Sequence, residues 1–82
     1  MDNLSVEVYV PAIGTTYDVL IPRRAYVYEL LPLIIKAVVK LSDGLFIPVD
    51  AVLCCGSTGR IFGSDMSVYN MNLINGSRLM LI

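Results

Sequence analysis

The sequence predicts a small α+β fold in a single domain, residues 1–82. Three observations carry this. Two segments near the N-terminus alternate apolar and polar residues and lie at hairpin distance. One central segment switches to helical spacing. Shorter apolar runs, separated by glycine and proline, follow it.

The first strand is read from Leu4 to Val10, LSVEVYV, with Leu4, Val6, Val8 and Val10 on one face and Ser5, Glu7 and Tyr9 on the other. Pro11 and Gly14 punctuate the chain. Tyr17, Val19 and Ile21 then alternate with Thr16, Asp18 and Leu20, which gives a second, antiparallel strand stopped by Pro22. From Tyr28 to Leu41 the residues Leu30, Ile34, Val38 and Leu41 form an apolar stripe, with Glu29, Lys36 and Lys40 opposite. Ser42-Asp43-Gly44 closes this helix. Proline is tolerated only in a first turn, so Pro32 predicts a regular start near Glu29 or an irregular turn before the proline. LFIPVD is read as a connector, Ala51–Cys55 as a third strand and Arg60-Ile61-Phe62 as a short fourth. MSVYNMNLING lacks a period and reads as a loop or a single helical turn, before a final strand from Arg78 to Ile82.

Composition excludes several function classes. The chain is 56% hydrophobic and 16% charged, against about 25% charged in a typical domain. The surplus fits either a small, well-packed globule or one with apolar surface left over for a partner. With a net charge of −1 and six scattered basic residues, no phosphate-tracking surface forms, and no nucleic-acid partner is expected. The apolar run from Leu30 ends at Lys36, far short of the roughly 20 residues of a spanning helix, so no direct membrane insertion is expected. The N-terminus lacks the basic and apolar regions of a signal peptide, and a cytoplasmic location follows as the expectation.

Candidate chemical sites are weak. Cys54 and Cys55 are adjacent and the chain has no histidine, so neither a Cys-His pair nor a zinc site is expected. GSTGR at residues 56–60 lacks P-loop spacing and reads as a turn. The isolated acids Glu29, Asp43, Asp50 and Asp65 show no pairing. The expectation is a protein that is not an enzyme and uses no metal or cofactor.

The element order, ending in DMSVYNMNLINGSRLMLI, resembles the ubiquitin-like β-grasp, on Met66, Tyr69, Met71 or Leu73, Gly76, Leu79 and Leu81. The resemblance implies a mixed sheet of four to five strands in the order ββαβ(β)β with one helix packed on one face. It also implies that the first and last strands lie parallel at the centre. Val6, Val8, Tyr17, Val19, Ile21, Leu79 and Leu81 would then meet Leu30, Ile34, Val38 and Leu41. Within the superfamily the chain is most similar to the YukD/EsaB group, accessory proteins of type VII secretion in Gram-positive bacteria. This implies a non-enzymatic, cytosolic interaction module, peripheral to membrane subunits of a secretion complex.

Two surfaces are expected to serve it. With Leu79 and Leu81 inward, Met80 and Ile82 face out, and if Cys54 faces in, Leu53 joins them beside Tyr9. Leu33, Ile35 and Val39 flank the helical stripe; where the long connector does not cover them, they offer a homodimer surface or a dock for a membrane-protein partner. A conjugated modifier or sulfur carrier uses a Gly-Gly tail, and none follows Ile82, so conjugation is not expected. The alternatives are a domain excised from a larger membrane secretion component and, less favoured, such a modifier or carrier.

Overall fold

Period-two alternation makes β1 an amphipathic strand, Asn3–Val10, with Leu4, Val6, Val8 and Val10 buried. The computed structural model describes residues 3–82. β2, Thr15–Pro22, pairs antiparallel with β1, from Asn3 opposite Pro22 to Val10 opposite Thr15. The helix α1, Val27–Leu41, then crosses to the far side. β3, Leu53–Cys55, a single 3₁₀ turn, Tyr69–Met71, and β4, Arg78–Leu81, complete the order. The sheet runs β2-β1-β4-β3. β4 lies parallel to β1 and antiparallel to β3. The mixed sheet with central parallel strands is therefore present, with α1 over one face.

There are four strands among the described residues, not five. Arg60-Ile61-Phe62 forms only an isolated bridge from Ile61 to Cys54. Two backbone bonds hold it, Cys55 N–H to Arg60 O and Phe62 N–H to Leu53 O. Gly59, at φ 76°, turns the chain sharply just before it. β3 is also two residues shorter than expected, although pairing continues beyond it: Val52 and Ile82 exchange N–H···O bonds of 2.7 and 3.0 Å.

α1 begins at Val27, two residues ahead of Glu29, and the turn before Pro32 is regular helix. The first-turn N–H groups of a helix need partners from outside it. Here Val27 N–H donates to Met66 O at 2.8 Å, and Tyr28 N–H to Ser64 O at 3.1 Å. The Glu29 carboxylate accepts the Tyr26 N–H at 3.1 Å. This loop contact fixes the first turn ahead of Pro32, which sits within the helix and forfeits one bond. Pro32 and Tyr28 are both exposed, so the carbonyl left without a helical N–H lies on the solvent side of the helix. Pro32→Ala is expected to stabilise the domain by about 1–3 kcal/mol, read from its urea unfolding curve. An unchanged midpoint would contradict a lost helical bond at this position.

The helix ends in paired C-terminal bonds, Gly44 N–H to Val39 O and Asp43 N–H to Lys40 O. Asp43 adopts φ 57° and Gly44 φ 82°, so the chain turns left-handed one residue before the glycine.

The buried stripe of α1 is Val27, Leu30, Ile34 and Val38. Leu41, expected to extend it, is 55% exposed. The cap at Ser42 begins immediately after it, and Phe46 is buried instead, its N–H bonded to Ser42 Oγ at 3.1 Å. Phe62, Val68 and Met71 also enter the core from segments without regular structure or from the 3₁₀ turn. Tyr17 and Val19 pack against the core half-buried, while Ile21 is fully inside.

The outer sheet face as a candidate binding site

Strand register decides which side chains share the face away from α1. Leu79 and Leu81 are fully buried, so Arg78, Met80 and Ile82 point outward. Tyr9 is opposite Met80 on one side, and Cys54 is opposite Met80 on the other. Thr16 pairs with Tyr9, and Ile61 bridges to Cys54. One row thus crosses the sheet as Thr16, Tyr9, Met80, Cys54 and Ile61. Val52 and Ile82 lie beside it as a pair. Ile61 is 60% and Ile82 49% exposed, while Tyr9, Met80 and Val52 are half-buried.

Polar groups border this apolar row on one side. Asp18, Glu7 and Arg78 form the adjacent row. Arg78 Nη2 donates to Glu7 Oε1 at 3.2 Å. Such an exposed ion pair adds little stability but fixes the direction of the arginine. Gly56 lies against this side of the sheet: its N–H donates to Arg78 O, and an added Cβ would strike the Arg78 side chain. Glycine is therefore needed where β3 leaves β4.

The structure overturns the expected place of Leu53. Leu53 is opposite Leu81, faces α1 and is 1% exposed. Cys54 takes the outward parity and forms the floor between Met80 and Ile61. Val52 and Ile61 occupy the positions that complete the patch with Tyr9, Met80 and Ile82. The sequence signal for Val52 was its separation of two residues from Cys54, which places both on one face once the parity is known.

The helix residues do not form one patch. At about 100° per residue, Leu33 falls on one side of the polar stripe, and Ile35 and Val39 on the other. Leu33 is exposed, but Ile35 and Val39 are half-buried against the core. The connector adds apolar surface that the sequence reading missed. Leu45, Ile47 and Val49 are all exposed while Phe46 points in.

Neither thiol faces a set of metal ligands. No group of three Cys, Asp or Glu side chains converges among the described residues. Burial pushes the Cys54 thiol up. Hydrogen bonds from Ser57 and Thr58 pull the Cys55 thiol down to about 6, with Ser57 Oγ 3.3 Å from its sulfur. Cavities indent the surface formed by the described residues. One of about 280 Å³ is lined by Leu4, Arg23, Val68, Tyr69 and the 72–74 segment. Another of about 240 Å³ lies between β2 and α1. No helix among the described residues is long and apolar enough to cross a membrane.

No family model and no curated protein matches the sequence. Solved structures do match. The EccD5 ubiquitin-like domain from Mycobacterium xenopi aligns with a TM-score of 0.81 at 17% identity, over 100% of this chain and 94% of that one. The ubiquitin-like domain of the Mycobacterium tuberculosis type VII secretion system protein ECCD1 aligns at 0.78 and 13% identity, over 100% and 99%. A chain of the MycP5-free ESX-5 inner membrane complex aligns at 0.77 and 20% identity, over 100% of this chain but only 21% of that one. The fold is the ubiquitin-like β-grasp.

Proposed function

We propose that this domain is a non-enzymatic protein–protein interaction module of a type VII secretion system. It binds a membrane subunit of the secretion complex through the outer sheet face formed by Tyr9, Val52, Ile61, Met80 and Ile82. The observation that carries this reading is the alignment over the whole chain with ubiquitin-like domains of two such secretion proteins. The face supports it chemically. Half-buried and exposed apolar side chains sit together, and the rim is polar, as in a protein-binding patch. The binding mode is apolar burial on a rigid sheet, with Glu7, Asp18 and Arg78 setting orientation.

A photo-crosslinking amino acid placed at Met80 in cells tests the reading. Recovery of secretion-complex membrane subunits supports it. Combining Met80→Asp with Ile82→Asp is expected to lower recovery of that partner at least tenfold while the domain stays folded. Unchanged recovery with the double variant would remove the outer face from the proposal.

One observation favours a second reading. The chain covers a fifth of a membrane-complex chain. A ubiquitin-like domain belonging to a larger membrane component would sit beside the same partners without being a separate cytosolic accessory. A reading frame continuing into hydrophobic segments distinguishes the two.

A further inference from the structure

Arg23, the residue after β2, is half-buried. It makes no hydrogen bond or ion pair among the described residues. Arg78 differs, being exposed and bonded to Glu7. A guanidinium carries five N–H donors and no acceptor. Taking part of it out of water costs free energy unless an anion or other acceptors replace the water. Arg23 is thus a partly desolvated cation with its donors still to be matched.

Arg23 lines the cavity of about 280 Å³ between the start of β1, the residue after β2 and the 68–74 segment. The rest of the lining is mainly apolar. Leu4 and Val68, both buried, form its floor, and the exposed Tyr69 and Ile74 stand at its rim. No Asp or Glu among the described residues lines it. Its volume lies at the lower end of ligand sites, which run from about 300 to 1,000 Å³. That is room for one apolar side chain with an attached anionic group, not for a run of residues.

The backbone of the 68–74 segment agrees with an anionic occupant. Asn72 is left-handed, at φ 53°, directly after the 3₁₀ turn. A right-handed to left-handed succession gathers N–H groups on one concave side, where anions are favoured. The N–H of Leu73, the next lining residue, makes no hydrogen bond among the described residues. One protein residue combines an apolar side chain with a carboxylate on a single unit: an apolar residue at a chain's C-terminus. An internal Asp or Glu brings the charge without the apolar body.

We infer that this cavity captures the free C-terminus of a partner protein that ends in an apolar residue. The last side chain seats on Leu4 and Val68, and the terminal carboxylate takes paired N–H···O bonds from the Arg23 guanidinium. Tyr69 and Ile74 close over the apolar part at the rim. The site shares no residue with the outer sheet face and does not depend on the secretion reading.

The test uses the full chain, isotope-labelled, titrated with an acetylated glycine-serine peptide that ends in leucine with a free carboxylate. Expected are saturable amide shifts at Leu4, Arg23, Val68, Leu73 and Ile74. The same peptide with an amidated C-terminus should bind at least tenfold more weakly, and so should one ending in serine. An amidated peptide with leucine and aspartate in its interior should also bind at least tenfold more weakly. Arg23→Gln should weaken binding at least tenfold with an unchanged urea midpoint, because Arg23 has no partner among the described residues to lose. Arg23→Lys should recover only part of the loss, since an ammonium lacks the paired donor geometry. Met80→Asp with Ile82→Asp should bind the peptide like the parent. Equal binding of acid and amide, or undiminished binding by Arg23→Gln, would overturn the proposal. So would the same shifts from acetate alone at equal concentration, which would assign the site to small anions. Concentration-dependent shifts without peptide would assign it to a second copy and overturn the proposal too, as would no saturation at millimolar peptide.

Discussion

Replacing Leu79 with alanine is expected to remove a large share of the stability of this domain. Leu79 is fully buried at the centre of the sheet, opposite Val8 on β1 and Cys55 on β3. It also belongs to the cluster that receives Leu30, Ile34 and Val38 from α1. Truncating a buried leucine at such a site costs about 3–5 kcal/mol, because the neighbouring strands hold the cavity open. A chain of this length has a total stability of about 4–12 kcal/mol. The variant should therefore unfold at a much lower urea midpoint with the slope unchanged. Met80→Ala, one residue along on the other face, should cost less than about 1.5 kcal/mol, since its side chain is only half-buried. Equal losses at the two positions would contradict the parity of β4.

That parity was readable before any coordinates, and the reason is physical. β1, β2 and α1 are long segments with one apolar face, so period alone assigns their type and orientation. Leu4, Val6, Val8 and Val10 are all buried, as alternation requires. β4 is short, but its arginine opposite Glu7 marks the solvent side. The β-grasp arrangement of these pieces came from resemblance, because period says nothing about which strands pair. The early start of α1 was hidden, since it depends on hydrogen bonds from residues 64 and 66, far away in sequence.

The candidate site was only partly legible for a related reason. β3 reads AVLCC, apolar at every position, so alternation cannot say whether Leu53 or Cys54 faces the helix. Pairing with β4 settles it, by setting Leu53 against Leu81 and Cys54 against Met80. A one-residue slip moves every side chain to the other face. Tyr9, Met80 and Ile82 kept their predicted side because β1 and β4 carry a polar marker, while β3 carries none. Leu33 was separated from Ile35 and Val39 by helix geometry that the spacing already contained.

The connector after α1 provides the second large expected effect. Phe46→Ala should cost about 3–4 kcal/mol, and Leu41→Ala less than about 1 kcal/mol, although the helical stripe alone ranks them the other way. Phe46 is 5% exposed and belongs to the core cluster, whereas Leu41 is 55% exposed. The Ser42 hydroxyl bonds the Val39 carbonyl and accepts the Phe46 N–H, so it ties the helix end to the start of the connector. The paired bonds from Asp43 and Gly44 reverse the chain there, and Phe46 returns to the core while Leu41, the last helical residue, stays exposed. Ser42→Ala should accordingly lose about 1 kcal/mol, and its effect should shrink when Phe46 is already alanine, because the two residues act on one contact. Urea unfolding of the two single variants and the double variant reads this coupling. Strictly additive losses would separate the cap from the phenylalanine and leave the connector held by the core alone.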